Sequence, residues 1–370
     1  MKSTAAITKS IEEGKVQRGK EKPFVSIVVP AYNEAAIIEE NLSRLCQYME
    51  TLEDKYRWEI IVVNDGSRDK TGELAEAFAR GKDNILVLHH IVNFQLGQAL
   101  RFAFGRCRGD YVVTMDVDLS YSPDHIEKLL AKIRETRAKI VIASPYMPGG
   151  KVSNVPWLRR TLSIWANRFL SLTARGRLST LTGMVRAYDR KFLRALDLQA
   201  MDMSINAEII YKAMLLNAWI VEIPAHLDWS FQKSQGTNRV SSIKIMRSII
   251  TYLLSGFMFR PVMFFLLPGF ALFLLSLYPF GWALIHTARQ LQNIPASIVS
   301  FDSRLSGAVA AAFQQSPHSF IVGGIALMLS IQLISLGIVV LQSKRYFEEL
   351  FHLSTTIYKF SQENGEDNLL

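Results

Sequence analysis

The sequence predicts an α/β domain built on a mostly parallel sheet covered by helices, followed by amphipathic interfacial helices and two transmembrane helices. Three observations carry this expectation. Short β-branched runs alternate with helical patterns through the first part of the chain. Polar clusters close three of those runs, which places them at one edge of the sheet. Two long uncharged apolar stretches lie toward the C-terminus.

Residues 1–22 read as a basic flexible tail with Lys2, Lys9, Lys15, Arg18, Lys20 and Lys22, and they lack the apolar centre of a secretory signal. The predicted strands are FVSIVVP (24–30), WEIIVVN (58–64), ILVLHH (85–90), DYVVTMD (110–116) and KIVIAS (139–144). Helical patterns near 34–50, 69–81, 95–105 and 123–136 separate them. The clusters PAYNE, NDGS and DVD fall beyond strand ends, where ligands of open α/β sheets bind. No GxGxxG follows the first strand, and no GxxxxGK[ST] loop occurs. A nucleotide on this sheet would therefore be held by side chains and a metal.

The pair Asp116 and Asp118 supplies the reason for a metal. On an extended backbone their side chains leave the same side, and two carboxylates that close repel unless a positive charge sits between them. Mg²⁺ or Mn²⁺, bound through oxygen and shared with a substrate phosphate, meets that need. A solvated strand end is the plainer alternative.

Residues 261–285 and 320–342 contain no charged side chain, and each is long enough to cross a bilayer core of about 30 Å. Lys244, Arg247 and Arg260 precede the first stretch, and Lys344 and Arg345 follow the second. The positive-inside rule then puts the N-terminal domain and both termini in the cytosol, with 286–319 as an outer loop. Cys46 and Cys107 give no reason to expect a disulfide or a metal site. The net charge of +9 suits an anionic membrane surface or a phosphate-bearing substrate. Nothing in the chain has the basic and aromatic pattern of a nucleic-acid binder.

The segment WLRRTLSIWANRFL (157–170) sets Leu158, Leu162, Trp165 and Phe169 at helical spacing beside Arg159, Arg160 and Arg168. A core helix would show the same stripe. A basic helix with Trp and Phe also suits a membrane surface and a lipid phosphate, for which Arg159 and Arg160 are the candidates. A second amphipathic segment, 241–257, leads into the first span.

In this order, VSIVVPAYNE, EIIVVNDGSRDKT and MDVDLSYSP resemble the family 2 glycosyltransferases of GT-A fold. The likeness is greatest to dolichol-phosphate mannose synthases and the bacterial polyprenyl-phosphate sugar synthases with C-terminal membrane helices. It implies a GT-A domain at 23–238, a juxtamembrane helix at 239–260, a transmembrane hairpin at 261–342 and a cytosolic tail at 343–370. It further implies that Pro30, Tyr32 and Glu34 line the base and ribose, and that Asp65 accepts hydrogen bonds from them. Glu34 also reads as a helix N-terminal acid. The GLG turn of the family is Gln95-Leu96-Gly97 here, so Gly97 and Ala99 are expected close to the nucleotide. Asp116, Val117 and Asp118 match the metal and diphosphate motif, with Asp118 the surer metal ligand.

LTGMVRAYDRKFL (181–193) and MSINAEIIYKA (203–213) match acceptor-side segments, which carry over Arg186 and Glu208 as catalytic groups, with a structural ion pair as their alternative. Three family positions differ. Pro145 stands in place of an arginine, Thr180 in place of an aspartate, and Ser230 near another arginine, with Lys233 or Arg239 as substitutes. The expected activity is inverting, metal-dependent transfer of one sugar from a UDP or GDP sugar to a polyprenyl phosphate at the cytosolic membrane face. The alternatives are a lipid or glycan hydroxyl acceptor, with Glu208 or Asp202 as base, and a non-catalytic membrane-tethered nucleotide-sugar-binding protein. The sugar, the nucleotide and assembly as a homo-oligomer are left open.

Overall fold

The computed structural model describes residues 22–155, 161, 178–228, 261–294 and 300–367. Residues 1–21 of the N-terminal tail, Arg159, Arg160 and most of the 157–170 segment, Ser230, Lys233, Arg239 and the 241–257 segment lie outside the described residues. The chain divides into two units, Met1–Ser255 with Thr355–Leu370, and Gly256–Ser354.

The first unit alternates as the sequence predicts: β1 (Phe24–Ala31), α1 (Ile38–Glu50), β2 (Arg57–Asp65), α2 (Thr71–Ala79), β3 (Ile85–His90), α3 (Gln95–Phe104), β4 (Tyr111–Thr114), α4 (Asp124–Thr136) and β5 (Ile140–Ser144). There follow β6 (Lys151–Ser153), β7 (Arg186–Asp189), α5 (Arg190–Arg194), α6 (Ile205–Leu215), β8 (Ile220–Pro224) and β9 (His226–Asp228). The main sheet has the order β3-β2-β1-β4-β7-β5-β8. All its strands run one way except β7, which pairs antiparallel with both β4 and β5. Strands β6 and β9 form a small parallel sheet of their own.

Alternation within the strands divides the core. Val25, Ile27 and Val29 of β1 and Ile60 and Val62 of β2 are buried with Ile38, Leu42 and Leu45 of α1 and Ile126, Leu129 and Leu130 of α4. Helix α3 packs on β1 and β2 from the opposite face, with Ala99, Leu100 and Ala103 fully buried. A sheet buried on both faces explains the near-continuous apolar runs of β1 and β2.

One polar cluster interrupts them. Ser26 and Glu59 are register partners on β1 and β2, and Ser26 Oγ donates to Glu59 Oε1 at 2.6 Å. Glu59, which is buried, also accepts from Arg108 N at 2.9 Å and Arg108 Nε at 2.7 Å, while Gly109 N donates to Ser26 Oγ at 2.8 Å. The cluster ties the chain entering β4 to the two central strands.

In the second unit, α7 (Leu266–Asn293) and α9 (Pro317–Asp367) include windows of mean hydropathy 1.6 and 2.4, and both are long and apolar enough to cross a membrane. A Cβ at Gly269 would lie 2.9 Å from Ile334 Cγ1, and one at Gly337 would lie 2.7 Å from Leu266 Cδ2, so glycine permits this close helix pairing. Between them the structure differs from the expected loop. Residues Phe301–Gln315 form helix α8, in which Ala308 and Ala312 are buried and Phe301, Leu305, Val309 and Phe313 make an exposed stripe at four-residue spacing. The stripe escapes a hydropathy reading because alanine, serine and glutamine dilute it.

Replacing Glu59 with Ala strands the Ser26 hydroxyl and the Arg108 backbone and guanidinium donors. A loss of about 3 kcal/mol is expected. It should appear as a clear fall in the Tm of the purified full chain, with Glu59→Gln falling less.

Candidate active site

The carboxyl ends of β1, β2, β3 and β4 meet at one edge. Their loops are laced together by side-chain to backbone bonds. Asn33, in the left-handed region at φ 56°, donates its N–H to Ser67 Oγ at 3.0 Å and accepts from Arg68 N through Oδ1 at 2.8 Å. Glu34 N donates to Thr71 Oγ1 at 2.8 Å and Ala35 N to Asp69 Oδ2 at 3.2 Å. Ser67 N donates to Asn64 Oδ1 at 3.2 Å. Most of NDGSRDKT therefore serves as a latch on the PAYNE loop, a role not assigned from sequence.

Tyr32 is exposed, Pro30 and Glu34 are half-buried, and Asp65 is buried. Asp65 Oδ1 accepts from His90 Nδ1 at 2.7 Å and from Phe94 N at 3.0 Å.

The DVD segment departs from an extended strand. Strand β4 ends at Thr114, residues 117–118 form a turn, and Leu119 is left-handed at φ 47°. Val117 is buried in the core, its carbonyl accepting from Asn41 Nδ2 at 2.9 Å, so its side chain does not line a ligand site. Asp118 Oδ1 accepts from Ser120 N at 2.9 Å. The turn, and not strand pleating, brings the carboxylates together. Burial pushes the Asp116 carboxyl up to about 8, and the nearby Asp118 and Glu34 carboxylates add to the rise. Asp116 keeps part of its surface accessible, so solvent moderates that effect.

The Gln95-Leu96-Gly97 turn keeps its shape at a cost. Gln95 stands at φ 74°, a conformation that favours glycine. A Cβ on Gly97 would lie 2.4 Å from Ala200 O, so this glycine admits the backbone of the 200–201 loop. Ala99, on the inner face of α3, is wholly buried. The packing partner shown at Gly97 is the backbone of residues 200–201, and Ala99 faces the protein interior.

On the acceptor side Arg186 is fully buried, Nη1 donating to Asn206 O at 2.9 Å and Nη2 to Leu181 O at 2.7 Å. Burial holds its guanidinium below the ordinary range, with Tyr188 and Glu222 opposing the shift. Glu208 pairs with Lys212 at 2.8 Å and accepts from Gln199 N at 2.9 Å and Ala200 N at 2.8 Å. Both side chains engage main-chain groups, those bonded by Glu208 lying in the loop that packs on Gly97. Their ion pair alternative also takes another form, since the partner of Glu208 is Lys212. Glu222 on β8 accepts from Ser179 N at 2.8 Å and Thr180 N at 2.9 Å, a role that sequence reading missed. Ser144 and Ser179 share a hydroxyl bond of 2.6 Å, and Pro145, Tyr146, Met147, Gly150 and Lys151 border a pocket of about 540 Å³.

Residues 26–197 match the family described as Glycosyl transferase family 2. A polyprenol monophosphomannose synthase from Mycolicibacterium smegmatis is 30% identical over 60% of this chain and 83% of the relative. The chain belongs to glycosyl transferase family 2. An undecaprenyl-phosphate mannosyltransferase from Micrococcus luteus is 33% identical over 54% of this chain and 82% of the relative. Among solved structures, glucosyl-3-phosphoglycerate synthase from Mycobacterium tuberculosis with Mn²⁺, UDP-Glc and phosphoglyceric acid aligns at 21% identity and TM-score 0.48, over 66% of this chain and 82% of that one. The α/β unit is a GT-A fold, and the protein is an inverting glycosyltransferase with a nucleotide-sugar donor.

Two measurements check this geometry. If Glu208 supports the 199–200 loop, Glu208→Gln should lower Tm by taking the carboxylate partner from buried Lys212, a cost of about 3 kcal/mol, and leave kcat of the folded enzyme within about threefold. A loss of kcat at unchanged Tm would return it to the chemistry. For Asp116, the folded value lies above the ordinary 3.8, so ionisation opposes folding increasingly as pH rises from about 4 toward 8. With ~1–2 kcal/mol surviving solvent access, metal-free Asp116→Asn should melt about 2–8 °C above wild type at pH 8, the gap closing toward pH 4.

Proposed function

We propose that the enzyme transfers one sugar from a UDP or GDP sugar to a polyprenyl phosphate, with Mg²⁺ or Mn²⁺ at Asp116 and Asp118. The observation that carries this reading is the crowding of Asp116 and Asp118 near Glu34 at the carboxyl edge of the sheet. Among the described residues no group of three His, Cys, Asp or Glu side chains forms a metal cage. Two carboxylates fit a hard cation that completes its shell with water and substrate diphosphate. When bound, such a cation stabilises negative charge on the departing diphosphate.

The residues of the chain supply the remaining functions. Tyr32, Glu34 and Asp65 hold the nucleoside, and the turn at 117–118 presents Asp118 toward the diphosphate. A lipid phosphate is already ionised near neutral pH, with a second pKa of about 6, and attacks without a general base. That suits a site in which Glu208 is paired with Lys212 and Asp202 accepts from Ser204 N at 2.9 Å. A hydroxyl acceptor is the second reading, favoured by Pro145 and Thr180 where the family carries an arginine and an aspartate. The names of the Mycolicibacterium and Micrococcus relatives support the phosphate. Arg159 and Arg160 remain its proposed partners.

We place the enzyme in the membrane as a multi-pass protein through α7 and α9, with the catalytic unit and both termini cytosolic. That position brings a soluble donor and a lipid acceptor to one site.

Asp118→Asn should lower turnover at least about 100-fold, equivalent to ~2.7 kcal/mol of transition-state stabilisation. The assay is radiolabelled sugar transfer to undecaprenyl phosphate in vesicles. Mn²⁺ binding in the presence of UDP or GDP, read by electron paramagnetic resonance, should weaken in parallel. Wild-type transfer to a lipid hydroxyl and none to the phosphate would favour the second reading.

A further inference from the structure

We propose that His90 is a positioning residue of the nucleotide site, holding Asp65 so that its Oδ2 meets a donor of the nucleoside. The inference rests on the proposed role of Asp65 in binding that nucleoside.

Register places His90 opposite Asp65 across the β2–β3 pair, as it places His89 opposite Asn64. The two histidines serve different faces. His89 is largely exposed and bonds Asn64 Nδ2 at 3.1 Å and Glu76 Oε1 at 2.9 Å. The His90 side chain is only 8% exposed and that of Asp65 only 6%. The His90 ring stacks on Phe102 with centroids 5.1 Å apart and meets the edge of Phe94 at 5.2 Å. Packed on two sides, the imidazole has little freedom to turn away from Asp65.

A carboxylate acceptor selects the tautomer with the proton on Nδ1. That N–H and the Phe94 N–H both reach Oδ1, at 2.7 Å and 3.0 Å, and together fill its two lone pairs. Oδ2 has no hydrogen-bond partner among the described residues. A carboxylate with one oxygen tied by two donors cannot rotate, and the other oxygen is thereby aimed. The nucleoside then finds an oriented acceptor instead of a mobile one, which lowers the ordering cost of binding. Phe94 opens α3, so the same oxygen also fixes the loop between β3 and the Gln95-Leu96-Gly97 turn.

Ring packing and hydrogen bonding are separable by substitution. His90→Phe keeps the aromatic contacts and removes the donor; His90→Asn places an amide N–H near the position of Nδ1; His90→Gln places it near that of Nε2. The full chain in detergent with Mn²⁺ would be titrated calorimetrically with UDP and with GDP, alongside Asp65→Ala. The expected result is a rise of about 10-fold in Kd for His90→Phe and His90→Gln, and within about twofold of wild type for His90→Asn. Wild-type affinity in His90→Phe, with binding lost in Asp65→Ala, overturns the role of His90 and leaves that of Asp65 intact. Unchanged affinity in Asp65→Ala overturns both. Should His90→Phe fail to fold, equal affinities of the Asn and Gln variants overturn the proposal.

Discussion

The latch between the loops after β1 and β2 is the interaction on which the catalytic edge depends. Loops beyond parallel strands carry backbone N–H groups with no ladder partner, and each must find an acceptor. Asn33, Ser67, Asp69 and Thr71 provide acceptors from one loop to the other, and Asn64 braces the second loop by accepting from Ser67 N. Gly66 completes the arrangement, since a Cβ there would lie 2.1 Å from Val92 C of the loop after β3. Three loops become one surface, and Tyr32, Glu34 and Asp65 take their positions from it. Without that lacing the strand ends would still converge, but their side chains would not be held in one relation.

The strands and helices of the nucleotide half were legible because each signal is local. The β1 and β2 runs are buried on both faces, and their length and β-branched content separate them from helices. Strand β7 was not legible as a strand. It is four residues long, too short to show an alternation, and its neighbours in the sheet come from far along the chain. Gly97, Ala99 and His90 show the same limit at the site. The small residue at 97 answers to the backbone of Ala200, and His90 answers to a carboxylate brought opposite it by register. Spacing along one segment carries no trace of either partner.

On the acceptor side, buried charge is used to support backbone. Arg186, Glu208 and Glu222 each bond main-chain groups of irregular segments, at 181 and 206, 199–200, and 179–180. Removing charges from water is costly, and several hydrogen bonds to each are what offset it. Arginine and glutamate in a motif thus have two physical explanations, ligand or loop support, and composition does not distinguish them. Asp116 differs from these three in kind. The charge near Asp116 is of the same sign as its own, so its surroundings raise its pKa where a supporting carboxylate finds donors.

That contrast decides how the two halves divide the work. A charge satisfied within the fold stabilises a shape, whereas an unfavourable like-charge cluster is retained at a cost in stability that a ligand can relieve. The donor side holds such a cluster on a latched, rigid edge. The acceptor side has spent its buried charges on holding loops in place and carries Pro145 and Thr180 at positions where the family has charged groups. Recognition of the acceptor therefore falls to groups outside this supporting set, and binding of the acceptor is separated from the groups that keep the site folded. Such a division lets acceptor preference change within the family without disturbing the edge that binds the nucleotide.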